Sequence, residues 1–399
     1  MIVARRRADI QTGELKRVVF HMCRHRGDKE PEDAVEKWEN RFAHYLEVKH
    51  AVAVSSGRLG MEIILKALAL DAGSEVIIPA YTLKDLVPLI QGLDLKPVPA
   101  DIDSETFNMD PNSVKNRITN NTKAILPTHL FGNPCPMKKI MELAKAHSLF
   151  VIEDCAHSAG SEISRKKTGT FGHAAFFSFE TIKPINTYGG GMIATNDDNI
   201  AKFARRELYR EEYEDVAILS KVLTAYIERL LFSTSLSFPF LYLLASPRWK
   251  KAMNSLYRGV QRPPKKQKRY SQIQANLGLE KIQTLEKRTG ERRKKAEYLK
   301  SLLNDTVQVQ SILPDAITNY YFFVALLPGD TVQIRKNLLS HGFDAGIGHE
   351  IADDCSALLG YDDCPNVKGA YKRAIHLPLY ETMSDSQLER LTELIRRRT

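Results

Sequence analysis

The sequence predicts an α/β layered fold followed by a smaller α+β unit, on three observations. Short apolar runs alternate with helical patterns between residues 51 and 197, the rhythm of a sheet layered with helices. Runs such as VIIP and AILP carry no polar residue, which suits strands covered on both faces. The chain has 399 residues, 43% hydrophobic and 26% charged. That is enough for a large core in two or three domains, and it excludes global disorder and fibrous repeats.

In chain order, candidate strands are Ala51–Val54, Glu75–Pro79, Lys96–Pro99, Ala124–Pro127, Phe150–Glu153, Ala174–Phe179 and Met192–Thr195. Helices such as Leu59–Leu70 and Met137–His147 fall between them. Ligands in such sheets sit beyond the carboxyl ends of the strands. Residues 198–269 break the rhythm. A helical pattern returns from Tyr270 to Leu303, and Asn319–Leu327 reads as a strand. The last helix begins at Ser384, with capping-box spacing to Gln387 and a buried face of Leu388, Leu391 and Ile395. The expected division is a large domain with an N-terminal arm (1–210), an atypical apolar and basic insertion (211–268), and a connecting helix with a C-terminal small domain (269–399).

The net charge of +9 is concentrated in one place. Nine Lys/Arg and no acidic residue lie between Arg248 and Arg269, directly after the uncharged stretch Leu230–Pro247. That stretch is short of the roughly 20 residues needed to span a bilayer, and Pro239 would break a helix within it. An apolar stretch followed by a basic cluster reads as an interfacial membrane segment over 230–269. A buried or subunit-interface helix pair followed by a solvated basic loop explains the pattern equally. Nucleic acid is not expected, because the aromatics precede the charges rather than interleave with them. Five scattered cysteines without a CxxC pair suit a reducing compartment, and MIVARRRADIQTG lacks the apolar core of a signal peptide. The expected address is cytoplasmic, at the inner face of the membrane if 230–269 docks there.

Several residues could do chemistry. Asp154 closes the apolar strand FVIED, with His157 three residues on. Lys183 lies between an apolar strand ending near Ser178 and the triple glycine Gly189–Gly191. A lysine after a buried strand, with glycines permitting close approach, is a Schiff-base candidate. The turn Ser55–Arg58 joins strand to helix and offers backbone N–H groups to a phosphate. Each feature alone has a plain structural reading as a turn cap, a core histidine or a solvated charge. Together, a phosphate cup, a strand-end acid and a lysine match what pyridoxal phosphate requires. No metal is expected: His21-x-Cys23-x-His25 has no second ligand pair.

At these residues the sequence resembles the DegT/StrS-type sugar aminotransferases, a family of fold type I pyridoxal-phosphate enzymes. The similarity runs through AHYLEVKHAVAVSSG, VIIPAYT, KPVPADID, KAILPTHLFGNPCPM, VIEDCAHSAG, KTGTFGHAAFFSF, GGGMIATND, YSQIQANLGLEKIQTLEKR, DCPN and LPLY. The resemblance implies a large domain with a mostly parallel sheet and a smaller C-terminal domain. It gives Lys183 the covalent bond to the cofactor and the proton shuttle, Asp154 the pyridine nitrogen, and His157 the ring hydroxyl. Gly57, Arg58 and Ser178 take the phosphate. The family's SGTAA turn reads Ser56-Gly57-Arg58-Leu59-Gly60 here, its ring-stacking aromatic falls at Leu83 with Tyr81 two residues earlier, and its asparagine from the second subunit aligns with Gln267. Tyr188, Tyr320, Tyr321, His349 and Glu350 are candidate substrate residues.

The resemblance therefore implies a homodimer with shared active sites. An amino acid, glutamate, would load the cofactor, and a nucleotide-linked or lipid-linked keto-sugar would accept the amine. Alternatives are another pyridoxal reaction, a dehydratase or lyase, or a non-catalytic cofactor-binding regulator. Lys183 disfavours the family's dehydratase branch, which has histidine in its place.

Overall fold

The computed structural model describes residues 2–24, 33–208, 216–233, 269–303 and 307–397. Its main sheet has seven strands, in the order His50–Val54, Gly191–Thr195, Ala174–Ser178, Phe150–Asp154, Thr122–Ile125, Glu75–Pro79 and Lys96–Ala100. Gly191–Thr195 runs antiparallel to both neighbours, and the other four pairings are parallel. The predicted strands are present, Glu75–Pro79 with the same ends and the others with an end shifted by one or two residues. Alternation along each strand sends Ile78, Ile152 and Phe176 into one core and Ile77, Val151 and Phe177 to the opposite side. Both faces are covered, which is why these strands read as unbroken apolar runs.

A second, four-stranded antiparallel sheet orders Gln308–Val309, Phe323–Leu326, Ala374–Leu377 and Gly346–Ile347. The long helix Gln272–Leu303 and the last helix Asp385–Arg396 share its core through Leu299, Leu303, Phe323, Leu377, Leu388, Leu391 and Ile395. Ser384 caps the last helix, and Gln387 completes the capping box. The expected strand Asn319–Leu327 is shorter, at Phe323–Leu326. Tyr320 has a φ of 48°, a left-handed conformation incompatible with a strand.

Of the atypical insertion, the helix Val216–Ser233 is described. Ile218, Val222 and Ala225 pack against Ile10, Val18, Ile273 and Leu277. Leu223, Ile227 and Leu230 face outward at 41%, 55% and 64% exposure. Among the described residues no helix is long and apolar enough to cross a membrane. Pro239, Gln267 and all but the last of the nine basic positions lie outside the described residues.

Candidate active site

The strand Phe150–Asp154 ends in two buried carboxylates. Adjacent side chains on a strand point to opposite faces, so Glu153 and Asp154 serve different ends. Glu153 accepts the backbone N–H groups of Phe171 at 2.7 Å, Gly172 at 2.8 Å and Gly169 at 2.8 Å. It also lies 3.0 Å from His129 Nε2. His129 Nδ1 accepts the Cys135 amide, so its hydrogen sits on Nε2 and points at Glu153. Glu153, His129 and Cys155 cluster within 4.8 Å, but the carboxylate is fully engaged in hanging the 169–172 loop on the sheet. Glu153→Gln should destabilise the protein by about 2–4 kcal/mol, because an amide NH₂ would face backbone donors in a buried site. Earlier thermal melting of the variant would show it; unchanged melting would remove the loop-anchoring role.

Asp154 has fewer partners. It accepts from Ala156 N at 2.9 Å and Thr128 Oγ1 at 3.3 Å, and among the described residues no cation lies within salt-bridge range of it. Burial raises its carboxyl above the usual range, while the Ala156 amide, Lys183 and His129 oppose that.

Lys183 lies in the connection between the antiparallel strands Ala174–Ser178 and Gly191–Thr195. The loop closes on itself through Phe179 N to Gly190 O at 2.9 Å and Thr187 N to Phe179 O at 2.9 Å. A Cβ on Gly191 would stand 2.3 Å from Phe177 O and 2.8 Å from Gly57 N. Glycine there lets the loop end meet the N-terminus of the helix Gly57–Ala67. A Cβ on Gly57 would in turn lie 3.2 Å from Ser178 Cβ. Gly57, Arg58 and Ser178 thus converge as a cradle at a helix N-terminus, a setting that suits a phosphate. The Arg58 guanidinium itself turns to Asp85 at 2.5 Å.

The Lys183 amine sits 4.9 Å from the centre of the Tyr321 ring. Its pKa is pushed down to about 7, chiefly by desolvation, with Asp154 opposing and Arg6 adding to the fall. Tyr321 also stacks on His157 at 4.4 Å and 23°. His157 Nδ1 accepts the Phe131 amide at 3.4 Å. Burial, Lys183 and Arg6 hold its pKa well below the ordinary range, so the ring is neutral and its hydrogen sits on Nε2. Asn319 ties the two segments together: Nδ2 donates to His157 O and Ala159 O, both at 2.8 Å, and Oδ1 accepts from Tyr321 N at 2.8 Å.

The structure therefore gathers Lys183, Asp154, His157, Ser178, Gly57, Arg58 and Tyr321 at the carboxyl edge of the sheet. Leu83 is on the surface, 40% exposed. Tyr81 is buried in one apolar cluster with Tyr321, edge-on to Phe131 at 6.0 Å, its hydroxyl without a partner among the described residues. Other expected residues lie elsewhere. Tyr188 donates from its hydroxyl to Glu14 in a buried network with Lys281. Tyr320 donates to Glu297 at 2.6 Å and packs in the small-domain core. His349 is exposed, and Glu350 is bound by Arg5 at 2.5 Å and Arg335 at 2.9 Å. Sequence reasoning missed Asn319 and Arg6. Asn319 was legible as the polar residue opening the apolar run NYYFF, whereas Arg6 was hidden in a basic N-terminal stretch.

The residue set fits pyridoxal phosphate. Asp154 is a buried carboxylate with no paired cation among the described residues, as a pyridinium would require. The Gly57–Ser178 cradle would take the phosphate, and Lys183 is an amine neutral enough to bond an aldehyde.

Residues 17–227 and 248–396 match the DegT/DnrJ/EryC1/StrS aminotransferase family. The GDP-perosamine synthase of Escherichia coli O157:H7 is 43% identical over 166 residues, 42% of this chain and 46% of the synthase. The chain thus spans about half the length of these curated synthases. The spore coat polysaccharide biosynthesis protein SpsC of Bacillus subtilis strain 168 is 28% identical over 384 residues, 91% of this chain and 88% of SpsC. A solved aminotransferase from Psychrobacter cryohalolentis shares the fold, with a TM-score of 0.77 at 21% identity over 98% of this chain and 97% of that one. With the match running from the N-terminal helix to the last one, the chain belongs to the DegT/DnrJ/EryC1/StrS aminotransferase family.

Proposed function

We propose that the protein is a pyridoxal-phosphate-dependent aminotransferase that moves an amino group from glutamate to a keto-sugar carried on a nucleotide or a lipid. The observation that carries this reading is the Lys183 amine, depressed to about 7 and grouped with a buried Asp154 and the Gly57–Ser178 turn at a helix N-terminus. When bound, the cofactor supplies an electron sink for the carbon that loses or gains a proton. This chain's residues do the rest. Asp154 holds the proton on the ring nitrogen by its charge. His157 offers Nε2–H to the ring oxygen. Tyr321 walls one side of the lysine and excludes water. Lys183, with a substantial neutral fraction near pH 7, takes the proton from one carbon and returns it to another. The resemblance to sugar aminotransferases supports a homodimer with shared active sites, and Gln267 stands at the position of the family's asparagine from the second subunit. The GDP-perosamine synthase relatives support a nucleotide-linked acceptor. For a lipid-linked acceptor the support is the outward stripe Leu223, Ile227 and Leu230, which leads into the charge-free stretch ending at Pro247 and the basic cluster beyond it.

The test is spectroscopic. Purified holoenzyme should be yellow, and glutamate should bleach the band with release of 2-oxoglutarate. Nucleotide-linked and lipid-linked 4-keto-sugars, offered separately, should restore it with formation of an amino-sugar, and the one that does so names the carrier. Colour with no glutamate response would replace this reading with another pyridoxal reaction. Protein that binds no cofactor would replace it with a non-catalytic role.

A further inference from the structure

We infer that Glu180 and Lys221 are a positioning pair, which ties the helix of the insertion to the loop that carries Lys183 and sets the charge beside the reactive amine. The inference rests on the aminotransferase reading only in taking Lys183 as the reactive group. It gives the described part of the insertion a place in the reaction.

The loop from Phe179 to Gly190 is held at both ends. Its last residues are gripped from the start of the long helix. Tyr270 Oη donates to Thr187 Oγ1 at 2.9 Å, and Gln274 Nε2 donates to Thr187 O at 3.4 Å. Its first residues are held differently. Lys183 N donates to Glu180 O at 2.8 Å, which closes a turn, and the Glu180 carboxylate accepts the Thr181 amide at 3.2 Å. That carboxylate is then clamped from outside the loop. Lys221 Nζ, on the helix Val216–Ser233, meets both of its oxygens, at 3.0 and 3.2 Å. The ammonium also lies against the far end of the loop, 3.2 Å from where a Cβ on Gly189 would stand. Ile218, Val222 and Ala225 of the same helix are buried in one cluster with Tyr188, the residue before that glycine. Positions 218, 221, 222 and 225 share one helical face, so the packing that buries the helix also delivers the ammonium to Glu180.

Charge decides what the pair does. Lys183 is faced by Asp154 from the strand end, His157 from the turn beyond it, Arg58 from the helix N-terminus, Arg6 from the N-terminal arm and Glu180 from its own loop. Asp154 and Glu180 are the acids of this set, and both favour the charged amine against desolvation. Asp154 faces the ring nitrogen in the reading above. Glu180 has no such use, and its charge would hold a proton on the amine that must give one up. Lys221 offsets that charge from outside the site. A carboxylate beside an ammonium acts at a distance as a dipole, whose field falls off faster than that of a lone charge. With Lys221 23% and Glu180 43% exposed, the pair adds little to stability. Its consequence is the charge balance at Lys183.

The experiment compares the full-length wild-type protein with Glu180→Gln, Lys221→Met, Lys221→Arg and the double variant Glu180→Gln/Lys221→Met, each freed of cofactor. Reductive methylation by formaldehyde and cyanoborohydride, which labels the neutral amine, is followed at Lys183 across a pH series by peptide mass spectrometry. Glu180→Gln removes an acid and leaves the ammonium, so the midpoint of labelling should fall by about half a pH unit. Lys221→Met leaves the acid alone, so the midpoint should rise by a similar amount. Lys221→Arg should keep the wild-type midpoint. The double variant, neutral at both positions, should fall between the two single ones. All four should melt close to the wild type. A merely structural tie predicts otherwise: loss of either partner loosens the same loop, both midpoints move the same way, and the double variant is displaced at least as far as either. That pattern would overturn the inference, and so would an unmoved midpoint in Glu180→Gln. Failure of the aminotransferase reading is separate, because formaldehyde needs no cofactor. Opposite shifts in the two variants, with no bleaching of the loaded wild type by glutamate, would remove that reading and leave the pair.

Discussion

Lys183→Ala should abolish turnover, with a loss on the order of 10⁴-fold or more, because one side chain both bonds the cofactor and moves the proton. Borohydride treatment followed by peptide mass spectrometry should find a cofactor adduct on the wild-type peptide around Lys183 and none in the variant. The depressed amine gives the same residue a pH signature. An amine with a pKa of about 7 is charged below that pH and neutral above it. Cofactor capture by apo-protein should therefore accelerate as pH rises through about 7 and level off, instead of climbing toward the 10.5 of an ordinary lysine. Two features set the midpoint. Desolvation by the surrounding protein lowers it, and Asp154 partly restores it. A capture rate still rising at pH 9, or an adduct on another peptide, would show that a different amine does the work.

The central sheet was legible because its strands obey local rules. VIIP, AILP and FVIED are apolar because both faces are covered, and the helices between them supply the other layer. The last helix was legible through its capping box, whose hydrogen bonds involve only residues three apart. Asp154 and Lys183 were legible because each closes or follows such a strand, and the carboxyl edge of a parallel sheet is where ligands bind. What could not be read was direction at a turn. Tyr188 and Tyr321 look alike in sequence. One points into a buried network with Glu14, and the other lies against the lysine. A left-handed residue at Tyr320 and the grip of Asn319 on the His157 turn decide the second case. Arg6 was illegible for a related reason. Its partners Phe322 and Glu350 lie more than 300 positions away, and nothing in the run Arg5–Arg7 sets it apart from its neighbours.

Asp154→Asn should separate two neighbouring carboxylates by their effects. Glu153 is held by three backbone donors and a histidine, so its loss should be felt as stability. Asp154 is buried with an amide and a hydroxyl as its partners, and burial raises its carboxyl above the usual range. The native apo-protein then keeps that proton to higher pH than the unfolded chain, so this group subtracts stability as pH rises through the interval. An asparagine of the same shape has no charge to desolvate. Apo Asp154→Asn should accordingly melt no earlier than wild type at neutral pH. Its activity should fall by about 10²–10³-fold, because a neutral amide cannot hold the ring nitrogen protonated by charge. The cofactor's absorption band should shift with its ring protonation while the Lys183 adduct still forms. Lower stability with retained activity would exchange the roles of the two residues and place the ring nitrogen elsewhere.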